Sequence, residues 1–193
     1  MYKLKYNSFL PLGPLRKRKG FSEERFAQSA HLSRSTLRHI EAHNSSIRLG
    51  SVAAAASALN LELDVLLCPA ECQSDLSTVG VGYQVIHDGS LSWKIHFFNF
   101  VDEFRRTLDP RLILLPPSTA LELKLRALLA SIVWMLCEEV QMDAPSWAQK
   151  RYDLPQPWFV SEIESLKASA LVESPVYFRQ NNIFVLSNFL ERA

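Results

Sequence analysis

Cysteine is scarce in this chain: Cys68, Cys72 and Cys137 are three among 193 residues. Three thiols build no disulfide framework. Cys68 and Cys72 have no second Cys/His pair to complete a tetrahedral zinc set, so all three read as reduced thiols. Glycine is thin as well, six in all, and no stretch forms a phosphate-cradling loop. Long apolar runs are missing. The longest, Ala127 to Cys137, is too short to span a bilayer and follows Glu122, Lys124 and Arg126. Residues 1–15 lack an apolar segment followed by a small-residue cleavage site. The expectation is a soluble, cytoplasmic protein with no membrane partner.

Catalytic constellations are also absent. Glu138 and Glu139 are adjacent and point apart on a helix, and His96 has no Ser or Cys nucleophile in a recognisable turn. His39 and His43 share a helix face, but Glu41 between them points elsewhere, unlike the zinc-protease HExxH arrangement. No enzyme, metal site or cofactor is expected.

What is present is a globular composition, 48% hydrophobic and 21% charged. The net charge of +1 hides an asymmetry. Residues 1–67 carry ten Lys/Arg against five Asp/Glu, a net of +5; residues 68–193 carry eleven against fifteen, a net of −4. A basic front suits a polyanion and an acidic rear suits something else.

The pattern divides the chain into residues 1–67, a linker at 68–90 and a second domain at 91–193. Residues 1–12 read as an arm, and short helices fill 13–67. The linker holds Pro69, Ser74, Ser77, Gly80, Gly82 and Gly89 without a helical period, with a short strand expected at Val81–Ile86. Beyond it, Trp93, Phe97, Val101, Phe104 and Leu108 recur at steps of three and four, the mark of one apolar helix face. Asp109-Pro110 ends that helix. Leu121–Val140 reads as a long, largely buried helix. Ser161 is expected to cap a helix with Ile163, Leu166 and Ala170 on one face. Ser174-Pro175 opens another that Asn181-Asn182 stops. No internal repeat is visible. The fold class is all-α.

Residues 23–42 carry the most specific signal. Two helices crossing steeply over a short turn need a small residue at the contact, apolar anchors at fixed steps and a polar outer face. Phe26 and Ala30 face inward from the first helix, Ala27 is the small contact residue, Leu32 plugs the turn, and Leu37 and Ile40 anchor the second helix. Ser22 and Ser33 stand where N-caps are required. With Leu15-Arg16-Lys17-Arg18-Lys19-Gly20-Phe21-Ser22 before them and Val52–Ala56, Ala58-Leu59 and Leu63-Asp64-Val65-Leu66 after them, residues 12–67 resemble the Cro/cI-type, or XRE, helix-turn-helix family. The resemblance implies a five-helix DNA-binding domain. The chain departs from the family where His31 and Asn60 replace Gly, where His43 stands near another usual Gly, and where Glu23 replaces a phosphate-contacting Gln.

Opposite Leu37 and Ile40, the helix presents Ser35, Arg38, His39 and Ala42, with Arg34 flanking. Ser35 and Arg38 are the expected base readers, because an Arg fork matches guanine O6 and N7. Arg34 reads or clamps phosphate, Ser33 and His39 belong to the same face, and Asn44, Ser45, Ser46 and Arg48 are expected on the DNA backbone. The run from Arg16 to Lys19 reads first as a solvated helix end.

Residues 91–193 are similar, in Trp93–Arg106, Ala144–Trp147 and Phe178–Val185, to helical antitoxins encoded beside AbiE-type nucleotidyltransferase toxins. Phe97, Phe98, Phe100 and Phe104 crowd one helix. Trp93, Phe97, Phe98 and Phe100 are therefore expected to bind a partner, with a helix covered by its own domain as the alternative. The functional expectation is a homodimeric repressor of a double-stranded DNA operator, an autoregulating antitoxin whose second domain covers a protein toxin. The alternatives are a repressor with a ligand-sensing or dimerisation domain, and a protein-only adaptor with a vestigial helix-turn-helix.

Overall fold

The computed structural model describes residues 12–42, 44, 46–61, 63 and 74–191. The chain forms two compact units, Met1–Leu67 and Cys68–Ala193.

Among the described residues of the first unit, four helices follow one another: α1 (Leu12–Arg18), α2 (Glu23–Ser29), α3 (Arg34–Glu41) and α4 (Leu49–Ala58). Each lends one or two side chains to a core of Leu12, Phe26, Ala27, Leu37, Ile40, Ala55 and Leu59. The helices are short because three of them end in the same device. Gly20, His31 and Asn60 adopt left-handed backbone at φ 73°, 53° and 56°. That turn lets the next amide reach back over the helix end: Phe21 N to Arg16 O at 3.1 Å, Leu32 N to Ala27 O at 2.9 Å, Leu61 N to Ala56 O at 2.9 Å. This is the Schellman closure, and it satisfies carbonyls the helix would otherwise orphan. His31 and Asn60 thus keep the conformation for which the resembled family uses Gly. Of the expected fifth helix at Leu63–Leu66 only Leu63 is among the described residues; the rest of it lies outside them, as do residues 1–11 of the expected arm, His43, Ser45, Cys68 and Cys72.

Arg16 corrects the expectation of a solvated helix end, because it is buried. Its Nε donates to Glu41 Oε1 at 2.7 Å, its Nη2 to Glu41 Oε2 at 3.3 Å and its Nη1 to the Phe21 carbonyl at 2.8 Å. The guanidinium therefore ties α1 to α3, and its pKa is raised by that carboxylate. Gly13 leaves the space: a Cβ there would stand 3.2 Å from Glu41 Oε2.

The second unit is built around α7 (Leu123–Glu139), apolar on almost every side, with Leu125, Ala127–Val133, Leu136 and Cys137 buried. Against it or its neighbours lie α5 (Thr78–Asp88), α6 (Trp93–Thr107), α8 (Ser146–Gln149) and α10 (Val176–Arg179); α9 (Lys167–Glu173) precedes α10. Burial of the Cys137 thiol, with Glu138 beside it, pushes its pKa up to about 11. One polar knot is sealed inside. Asn181 is fully buried; its Nδ2 donates to Ser131 Oγ at 3.0 Å and its Oδ1 accepts from Tyr152 N at 2.9 Å. A small parallel pair, β1 (Trp158–Phe159) and β2 (Ile183–Phe184), aligns Trp158 with Ile183 and Phe159 with Phe184. It is a minor departure from an all-α fold. Arg105 links distant segments, with Nη2 on Glu139 at 2.8 Å and Nη1 on the Leu190 carbonyl at 2.8 Å.

Several expectations change here. Within the span read as a linker, Thr78–Asp88, including the expected strand at Val81–Ile86, is helix α5, with Val81 and Val85 buried in the core. Its glycines serve close approach rather than flexibility. A Cβ on Gly80 would fall 2.4 Å from the Ser74 carbonyl oxygen, and one on Gly82 would fall 3.1 Å from Pro117. Ser161 caps no helix; a 3-10 turn at Glu164–Leu166 leads into α9, and Ile163 is exposed. Leu108 leaves the apolar face, turning left-handed at φ 50° to end α6. Trp93, Phe97 and Phe100 are buried, which leaves them no surface for a partner, and Phe98 is half-buried. Phe189 packs against Phe98 at 5.7 Å between centroids, Trp158 against Trp93 at 6.2 Å, and α5 and α7 pack on α6. The aromatic excess of α6 reflects a helix covered by its own domain.

Candidate nucleic-acid interface

Helices α2 and α3 are placed by side chains on their inner faces. Phe26, Ala27, Ala30, Leu37 and Ile40 are buried, and the turn between the helices is fixed at both ends. His31 closes α2 as described. Ser22 Oγ accepts from Arg25 N at 3.2 Å, and Ser33 Oγ accepts from Thr36 N at 3.0 Å, so both serines act as N-caps. Both cap positions follow from the sequence.

With the inner face fixed, the outer face of α3 follows from the helical period. Arg34, Ser35, Arg38, His39 and Ala42 are exposed together. Ser33 Oγ lies 2.9 Å from Ser35 Oγ and 2.8 Å from Thr36 Oγ1, so a hydroxyl cluster marks the start of the helix. The Arg34 and Arg38 side chains are 57% and 68% exposed, which leaves both in reach of a groove. In the loop before α4, Asn44 Oδ1 accepts from Ser46 N at 3.0 Å and Ser46 Oγ at 2.8 Å. This local turn holds Asn44 and Ser46 at the surface, and Arg48 is exposed at the start of α4.

Residues 15–66 match the helix-turn-helix family. Within that stretch α2, the turn at His31 and α3 form the helix-turn-helix, so this unit is similar to the helix-turn-helix domains of DNA-binding regulators. No curated protein matches the chain, and no solved structure does. The resemblance of residues 91–193 to antitoxins gains no support. Among the described residues no helix is long and apolar enough to cross a membrane.

The exposed face of the helix-turn-helix domain holds one arrangement that sequence spacing did not disclose. Arg38 Nε donates to Glu23 Oε2 at 3.1 Å, and Arg34 Nη2 donates to Glu24 Oε1. Both carboxylates stand in the first turn of α2, fifteen and ten residues before their partners. The local signal was two acids at a helix start, where they favour the helix dipole; the pairing itself depends on how the two helices cross.

Proposed function

We propose that the chain is a sequence-specific transcriptional regulator that reads DNA through the outer face of α3. The observation that carries this is the exposed set Ser35, Arg38 and His39, opposite the buried anchors Leu37 and Ile40. In this reading Arg38 forks onto a guanine and Ser35 contacts the neighbouring base. Ser33 and Arg34 approach the phosphates at the helix start, and Asn44, Ser45 and Arg48 grip the backbone beside the loop. The domain acts as a homodimer on half-sites about 34–36 Å apart, because one short helix reads few base pairs.

The test is selection of duplexes from a randomised pool by the full-length protein, followed by titration. Arg38→Ala should weaken the selected site by about 1–3 kcal/mol and relax preference at one base pair. Arg48→Ala should weaken all sequences alike and shallow the salt dependence. No salt-dependent binding to any duplex would leave the adaptor reading.

For the second unit we infer a protein partner. Its net charge of −4 opposes DNA, and Leu91 and Ile95, one helical turn apart, are 97% and 64% exposed. In its narrowest form the partner is a toxin whose operon the regulator controls. Co-expression with the neighbouring gene product tests it; absence of a complex favours the ligand-sensing or dimerising repressor.

A further inference from the structure

The two pairs on the recognition face engage their arginines differently. Glu23 holds Arg38 by its inner nitrogen, Nε, at 3.1 Å, which leaves Nη1 and Nη2 as a free fork. Glu24 holds Arg34 by Nη2, one of its two terminal nitrogens. A guanidinium reads guanine O6 and N7 with two parallel donors, and it does so best when its plane is fixed beforehand. A carboxylate near the groove also repels phosphate, so it weakens every DNA contact, matched or not.

We infer that Glu23 is a positioning residue for sequence discrimination: it orients Arg38 for base reading while its charge suppresses binding to unmatched DNA. Glu24 supplies the charge effect alone, because the nitrogen it occupies is one a fork would use. This inference rests on the DNA-reading function proposed above. It gives a role to the departure at Glu23, where the resembled family uses a neutral phosphate contact. The helix-turn-helix face has exchanged part of its general affinity for a higher ratio of matched to unmatched binding.

The experiment uses the full-length protein, the duplex it selects from a randomised pool, and a scrambled duplex of the same composition. Dissociation constants are measured on both at low and moderate salt. Glu23→Ala should tighten binding to the scrambled duplex several-fold and cut the matched-to-scrambled ratio about tenfold, the order expected for one oriented fork. Glu23→Gln removes the charge but keeps an amide oxygen for Arg38 Nε. It should tighten binding to both duplexes and hold the ratio within about twofold of wild type. Glu24→Gln should tighten both alike. In an Arg38→Ala background, Glu23→Ala should leave the ratio unchanged, since its action runs through Arg38. If Glu23→Ala and Glu23→Gln shift both duplexes equally, Glu23 is a charge only and the positioning role is overturned, while the DNA-reading function stands. If wild-type protein selects no sequence, that function falls and this inference falls with it.

Discussion

In the first unit every helix gives one or two side chains to a small core and keeps a polar face outside; in the second, one helix is buried on nearly all sides and the rest is laid against it. The comparison separates two ways of using a helix. A helix with a single apolar stripe is positioned by that stripe, so its opposite face is set by default and is free for chemistry. A helix that is apolar all round organises a fold and leaves little surface of its own to work with. The function proposed for the first unit therefore sits on α3, whereas α7 is scaffold.

The largest effect that would sharpen this contrast is unfolding of one unit with the other intact. Phe100 is fully buried in the second core, and Phe100→Ala should cost about 3–5 kcal/mol. All four tryptophans, Trp93, Trp134, Trp147 and Trp158, lie in the second unit, so their fluorescence in a urea titration reports it alone. DNA affinity in low urea should stay at the wild-type value. A single joint transition would mean the units are not separate.

Cys137 offers a second handle. With its thiol pushed up to about 11 and fully buried, alkylation at pH 8 should be at least about a hundredfold slower than in denaturant. On a Cys68→Ser, Cys72→Ser background, the onset of labelling should follow the tryptophan signal. Rapid labelling of the native protein would show that the second core opens locally.

Arg16→Ala should act on the first unit only. It leaves the Glu41 carboxylate, whose side chain is 19% exposed, without its cation. The expected loss is about 2–3 kcal/mol, below that for a fully enclosed pair. Thermal loss of DNA binding measures it, and the tryptophan transition should not move. The smallest change runs the other way. His31 holds φ 53°, so His31→Gly should stabilise the first unit by about 0.5–1 kcal/mol, read as a higher melting temperature of the helix-turn-helix domain with the second transition unchanged.

How far the sequence could be read follows the same division. Ser22, Ser33, Phe26, Leu37 and Ile40 act over a few residues, so their spacing alone placed α2, α3 and the outward face. Arg16–Glu41 and Arg38–Glu23 join residues 25 and 15 apart and depend on helix crossing, which no local period encodes. In the second unit, α7 was legible from its apolar length. Helix α5 was not, because Gly80 and Gly82 read as breakers when they are the places where Ser74 and Pro117 come too close for a side chain. The aromatics of α6 suggested a free surface because the segments that cover them, around Trp158 and Phe189, lie far along the chain.

The bond from Arg105 to the Leu190 carbonyl spans 85 residues. On a ribosome, that closure cannot form until residue 190 has emerged, whereas α1–α4 need nothing beyond residue 63 among the described contacts. Synthesis from the N-terminus at about 5–20 residues per second therefore gives the helix-turn-helix domain a head start of several seconds. For that interval each nascent chain carries, already folded, the face proposed to read DNA, tethered to an unfinished second unit.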